Sequence, residues 1–220
     1  MSLLDKWLTT AARVGSSGPG PMPFNTVIDA VLSPTEVSID GRRAIMCGSN
    51  NYFGLTFHPD VVAASQHAAD VWGVATTGSR AANGSFEIHH RLERTFAELY
   101  GLAHACVFTT GYQANLALLS GLCGPDDCLI LDIESHASLY DGARLSGATT
   151  YVFRHNSPVD LRRKLSRLPH PDRCLVVVEG LYSIRGDVAP VAEIADVCRE
   201  AGAYLMVDEA HSFGAFGTRG

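Results

Sequence analysis

The apolar run Leu205, Met206 and Val207 closes on Asp208, Glu209, Ala210 and His211. That is the pattern of a buried strand ending at the edge of an open α/β sheet, where such sheets place their ligands. Asp208 and His211, three residues apart, can both face one ligand there. Taken alone, the acid serves equally as a strand-end cap or a metal ligand, and the histidine as an ordinary turn residue. A second cluster, Ser135-His136-Ala137-Ser138, lies well upstream. By itself His136 fits a satisfied core or surface histidine. A third is Thr109-Thr110-Gly111-Tyr112. One glycine at a strand–helix junction lets helix N–H groups face a phosphate, or simply caps the helix. Neither GxGxxG nor GxxxxGK[ST] is present, which argues against the common dinucleotide and P-loop motifs.

The elements that must position these residues are legible as a rhythm. Strand text at 105–108, 128–131, 149–153, 174–178 and 204–207 alternates with helix text at 112–122, 138–145, 158–168 and 191–201. Short apolar strands alternating with helices predict βαβ units and a mostly parallel sheet. Upstream, 3–14 reads as a short amphipathic helix and 15–24 as a linker or arm. The segments 37–39 and 44–46, split by Asp40-Gly41, read as a small hairpin. Helices are expected over 58–72 and 86–100, with the glycine-bearing loop 73–85 between them. The domain boundary is placed between residues 57 and 58.

Composition narrows the function classes. The chain has 220 residues, 46% hydrophobic and 18% charged, with net charge -6. It can bury a large core, and no dense basic run suggests nucleic-acid binding. The six cysteines form no CxxC pair and read as reduced thiols rather than a disulfide scaffold or a zinc site. No apolar run is long enough to span a membrane, and no signal peptide is visible.

Read together, several stretches resemble the α-oxoamine synthases, pyridoxal-phosphate enzymes of fold type I. They are SPTE at 33–36, NYFGLTFHPDV at 51–61, TTGSRAANGSFEIHHRLE at 76–93, TTGYQANLALLSGL at 109–122, DIESHASLYDGARLSGA at 132–148, FRHNS at 153–157, EGLYSIRGDVAP at 179–190 and VDEAHSFGAFG at 207–217, with Pro23-Phe24 before them. The resemblance implies an α/β fold: the large domain of a fold-type-I transferase with a mostly parallel central sheet. An N-terminal helix and arm precede it, and the family's C-terminal domain is missing. Residues 1–57 form the leading segment and 58–220 an incomplete cofactor-binding domain.

The resemblance also assigns roles. Asp208 pairs with the pyridine nitrogen of pyridoxal 5'-phosphate, keeping the ring protonated and electron-accepting. His211 contacts the cofactor's 3'-oxygen, and His136 stacks on the ring and meets the substrate carboxylate. Gly111 and Tyr112 open the phosphate-binding helix. Ser183 supplies a pocket hydroxyl, for which a plain turn serine remains the alternative. Asn51 and Tyr52 lie near the entering substrate, and Ser79 and Arg80 in a loop that reaches toward a neighbouring subunit. Glu209 supports the site from outside, and His89 is structural. Where 5-aminolevulinate synthases carry an asparagine after that loop's arginine, this chain has Ala81. That argues against a short charged acyl group.

The implied reaction, for a complete protein, condenses L-serine with a long-chain acyl-CoA to 3-ketosphinganine, CoA and carbon dioxide. The rivals are a relative using alanine or glycine, an aminotransferase or eliminating enzyme of the same fold, and a silent partner subunit. The only lysines are Lys6 and Lys164, neither beside Asp208. The cofactor's Schiff-base lysine is therefore expected beyond residue 220, and these residues alone are expected to be inactive. The expected partners are amino acid and acyl-CoA in a homodimer with the site at its interface, without nucleic acid or metal. The expected location is the cytoplasm, with peripheral contact at the inner membrane admitted.

Overall fold

A computed structural model describes residues 2, 5–6 and 26–217. The expected N-terminal helix, apart from Asp5 and Lys6, the arm and Pro23-Phe24 lie outside the described residues. The chain divides into two compact units, Met1–Thr77 and Gly78–Gly220.

In the first unit the strands β1 (Ala30–Ser33), β2 (Glu36–Ile39) and β3 (Arg42–Ile45) form an antiparallel meander. The expected hairpin is β2–β3. Its turn residues Asp40 and Gly41 have φ of 50° and 70°, the paired left-handed conformation of a two-residue hairpin. Strand β1 is an addition, too short and exposed to show a pattern. Helix α1 (Pro59–Trp72) starts with proline at its first position and the His58 side chain accepting from the Asp60 N–H.

In the second unit four strands pair in the order β5-β4-β6-β7, all parallel: β4 (Cys128–Asp132), β5 (Thr149–Phe153), β6 (Cys174–Glu179) and β7 (Tyr204–Asp208). The helices are α2 (Glu87–Tyr100), α3 (Gly111–Leu122), α4 (Ala137–Ser146), α5 (Pro158–Leu165) and α6 (Val191–Ala201). Two cores clamp the sheet. On one face Ile130, Val176 and Val178 meet Leu161 and Leu165 of α5 and Ile194 and Val197 of α6. On the other, Leu129, Leu131 and Val177 meet Leu119 of α3 and Leu139 and Ala143 of α4. Every residue of β6 is buried, which is why that strand reads as an unbroken apolar run. Each such side chain stabilises the fold by roughly 1.5–3 kcal/mol.

Two expectations are corrected. Residues 105–108 are not a strand. A strand needs a ladder, and no described segment pairs with them; the Val107 N–H instead donates to Glu93 Oε1 at 3.1 Å. Helix α5 stops at Leu165 rather than 168, because past it the Arg167 and Leu168 N–H groups bond three residues back, to the Lys164 and Leu165 carbonyls at 3.1 Å each, instead of four. Among the described residues no helix is long and apolar enough to cross a membrane.

Candidate active site

Parallel pairing brings the carboxyl ends of β4, β6 and β7 to one edge, with Glu179 in register beside Asp208. Helices α3 and α4 start at this edge. Their approach is set at Gly142, where a Cβ would stand 2.9 Å from Leu119 Cδ1 and 3.2 Å from the Asn115 carbonyl oxygen. A glycine there lets Asn115 reach between the helices and the sheet.

Asn115 is the hub of this edge. Its Nδ2 donates to Asp208 Oδ2 at 2.8 Å and to Ser138 Oγ at 2.9 Å, which accounts for both amide hydrogens. Ser138 Oγ lies 2.7 Å from His136 Nδ1, and the Ser138 N–H donates to the same nitrogen at 3.2 Å. A backbone N–H can only donate, so Nδ1 is an acceptor and His136 is the neutral tautomer with its proton on Nε2. The Tyr112 ring meets His136 edge-on at 6.4 Å. The Tyr112 hydroxyl donates to the Asp141 carboxylate, which pushes its own pKa up. One continuous chain thus links Tyr112, His136, Ser138, Asn115 and Asp208. Asp208 Oδ1 also accepts from the Ala210 N–H at 3.0 Å, so both oxygens are held and lone pairs remain for a ligand.

Other residues flank this chain. The Thr110 hydroxyl caps α3 by accepting from the Gln113 N–H at 3.1 Å. The N–H groups of Gly111 and Tyr112 belong to the helix's first turn, where backbone N–H groups have no acceptor within the helix. His211 lies half-buried in the turn past β7, three residues from Asp208. Glu209 Oε2 accepts from the Tyr100 hydroxyl at 2.6 Å; burial and then this bond push Tyr100 up to about 12. Glu209 therefore ties α2 to the strand end. Ser183 is exposed in the loop after β6. Ser79 is exposed, and its carbonyl accepts from the Gly84 N–H at 2.8 Å in a tight turn. His89 Nδ1 accepts from the Phe86 N–H at 3.1 Å, closing the start of α2. Asn51 and Tyr52 belong to the first unit. There Asn51 Oδ1 accepts from the Thr56 N–H at 3.2 Å, and both residues line a mainly apolar groove of about 580 Å³.

Three residues escaped sequence reasoning. Asn115 sits in the TTGYQANLALLSGL stretch, and a buried asparagine facing inward from an apolar helix is the signal that could have found it. Glu179 is only 4% exposed at the end of β6. Its Oε1 accepts from the His136 N–H at 2.5 Å, and its carboxylate also accepts from the Ser183 N–H. Burial, and after it the nearby Asp208 charge, raise Glu179 to about 7 against those bonds. An acid closing an all-apolar strand was the available clue. Asp132, fully buried at the end of β4, closes an all-apolar run in the same way.

Known proteins share both the sequence and the fold that build this site. A family model, "Aminotransferase class I and II", matches residues 43–220. A serine palmitoyltransferase of Caulobacter vibrioides is 55% identical over all of this chain and 55% of its own length. An 8-amino-7-oxononanoate synthase of Pseudomonas putida is 43% identical over 84% of this chain and 47% of its own. A solved serine palmitoyltransferase variant from S. paucimobilis, with bound PLP-myriocin aldimine, superposes with TM-score 0.93 at 44% identity, covering 99% of this chain and 55% of that one. The chain spans about half the length of the curated relatives it matches.

Proposed function

The chain belongs to the aminotransferase class I and II family, and from that membership we propose that it is part of a pyridoxal-phosphate-dependent serine acyltransferase. The complete protein would condense L-serine with a long-chain acyl-CoA, releasing CoA and carbon dioxide and forming 3-ketosphinganine. The observation that carries the reading is the Asn115-anchored chain from His136 to Asp208. It offers a flat neutral imidazole and a fixed carboxylate at one strand-end edge, beside the start of a helix.

These residues fit the cofactor by their chemistry. Asp208, oriented through both oxygens, would hold a proton on the ring nitrogen. His136, neutral with Nδ1 already bonded, would lay its ring on the cofactor and keep its Nε2–H for the substrate carboxylate. The first-turn N–H groups of Gly111 and Tyr112 would hold the phosphate, as helix starts do. His211 would contact the 3'-oxygen, and Ser183 would lend a hydroxyl to the pocket. When bound, pyridoxal phosphate supplies an electron sink for the amino acid's α-carbon. The chain's own part is to keep that ring protonated, fix its tilt and orient the amino acid so that the bond to be broken is favoured. Lys164 lies in the last turn of α5, which leaves the sheet from the carboxyl edge of β5, so it stands toward the opposite edge from Asp208. The lysine that binds the cofactor is therefore neither Lys164 nor anything in the described second unit.

For the substrates, Asn51 and Tyr52 would meet the entering substrate. Ser79 would act from its loop across a homodimer interface. We place residues 58–220 in the cofactor-binding domain, in the cytoplasm with peripheral membrane contact. The relative named for oxononanoate synthesis favours a second reading: the same decarboxylative condensation with another amino acid. One experiment separates them. The complete protein, loaded with pyridoxal phosphate, is titrated with serine, alanine and glycine while its visible absorbance is followed. Palmitoyl-CoA is then added and CoA release measured. A shift and turnover with serine support the first reading. Response to alanine or glycine alone would replace it with the second, and no cofactor binding would end both.

A further inference from the structure

His155 follows β5 and takes no part in the chain from His136 to Asp208. Its two ring nitrogens both face carboxylates: Nδ1 lies 2.8 Å from Asp132 Oδ1 and Nε2 lies 2.9 Å from Asp187 Oδ2. Asp132 is fully buried and also accepts from the Glu134 N–H at 2.9 Å and, through Oδ2, from the Asn156 N–H at 2.8 Å. An ionised carboxylate only accepts, so both imidazole nitrogens must donate, and only the imidazolium has two donors. Neutral His155 would turn a lone pair toward one acid.

The cation joins three strand ends. Asp132 closes β4, His155 follows β5, and Asp187 belongs to the loop after β6. That loop is a small closed turn, with Leu181 bridging Val188, the Tyr182 N–H donating to the Asp187 carbonyl at 3.0 Å and the Gly186 N–H to the Tyr182 carbonyl at 2.7 Å. Tyr182, buried, packs edge-on against the imidazole at 4.5 Å. Its hydroxyl bonds Asp132 and accepts from the Glu179 N–H at 3.4 Å. Ser183 sits at the tip of this loop, its N–H on the Glu179 carboxylate that also holds His136.

We propose that His155 is a positioning residue held as an imidazolium, which clamps the loop after β6 to the ends of β4 and β5 and so sets Ser183 and Glu179 at the cofactor pocket. The pocket role rests on the proposed function; the clamp does not. Burial opposes the charge, but the hydrogen bonds to Asp132 and Asp187 outweigh it, and His155 stays charged above the usual histidine range. Also against it are Tyr182 and the charge of Glu134, which is itself paired with Arg185 at 2.6 Å. The clamp is therefore complete where both carboxylates are ionised and His155 is charged, and it weakens as pH rises through the raised His155 value.

The test uses the complete protein, its histidines labelled with nitrogen-15, without and then with pyridoxal phosphate. At about pH 7.5, where an ordinary histidine is mostly neutral, His155 should show two protonated nitrogens. The amides of residues 181–188 should be protected from exchange up to the pH at which His155 titrates. Asp187→Asn keeps the shape and removes one charge. It should move that midpoint toward acid and weaken cofactor binding about tenfold above the new midpoint, with binding near wild type below it. A neutral His155 at about pH 7.5 in the wild type, or an unmoved midpoint in D187N, would overturn the proposal. A charged His155 in a protein that never binds the cofactor would uphold the clamp and overturn the proposed function.

Discussion

His136 and His155 sit at neighbouring strand ends and meet different partners. His136 meets a backbone N–H and a serine hydroxyl through Nδ1, so it is neutral. His155 meets a carboxylate through each nitrogen, so it is charged. The imidazole is the same; the groups facing it decide. A neutral ring offers a flat face for binding, whereas a doubly bonded cation holds backbone segments together. Binding and bracing are thus divided between two histidines, and Glu179 and Tyr182 connect them.

The largest effect should come from breaking the brace. Asp132→Ala leaves half-buried His155 and the Glu134 and Asn156 N–H groups without the acceptor they share and should destabilise the complete protein by about 3–5 kcal/mol, read by urea denaturation. Next comes the acid between the two regions. Glu179 is raised from its usual range to about 7, so its contribution is present below the unfolded value and is lost as pH rises toward 7. Wild type should lose roughly 3 kcal/mol of stability from about pH 4.5 to pH 7 by this route. Glu179→Gln should flatten that segment of the stability–pH curve; an unchanged slope would show that Glu179 is not its source.

On the binding side, Asn115→Leu deletes both donors at nearly constant volume. It should cost about 1–3 kcal/mol and weaken pyridoxal phosphate binding while leaving the His155 titration in place. If the titration moved as well, the two regions would not be separable. Gly142→Ala pushes α4 off α3 and should cost about 1–3 kcal/mol, with cofactor affinity falling alongside stability. The smallest effect belongs to the rim. Arg185→Ala removes a half-exposed ion pair and should change stability by no more than about 1 kcal/mol, with the His155 midpoint nearly unmoved.

Much of the fold was legible. Strands β4 to β7 and helices α3, α4 and α6 stand within a residue or two of where apolar runs and caps put them, because their signals are local. Residues 105–108 read as a strand from their composition, but pairing is a property of two segments, and no described segment pairs with them. The site was legible to the extent that its residues sit in family-like motifs, as Asp208 and His136 do. Asn115 and Glu179 were hidden in the same motifs, since their partners lie 93 and 43 residues away.

The sequence by itself determined the alternation of strands and helices, the family resemblance and the presence of an acid and histidines at strand ends. These depend on residue type and near neighbours. Only the tertiary structure decided which hydrogens each ring carries, and that Asp208, Asn115, Ser138 and His136 form one chain. Protonation is set by the groups packed against an ionisable side chain, and parallel crossovers bring those groups from distant parts of the chain.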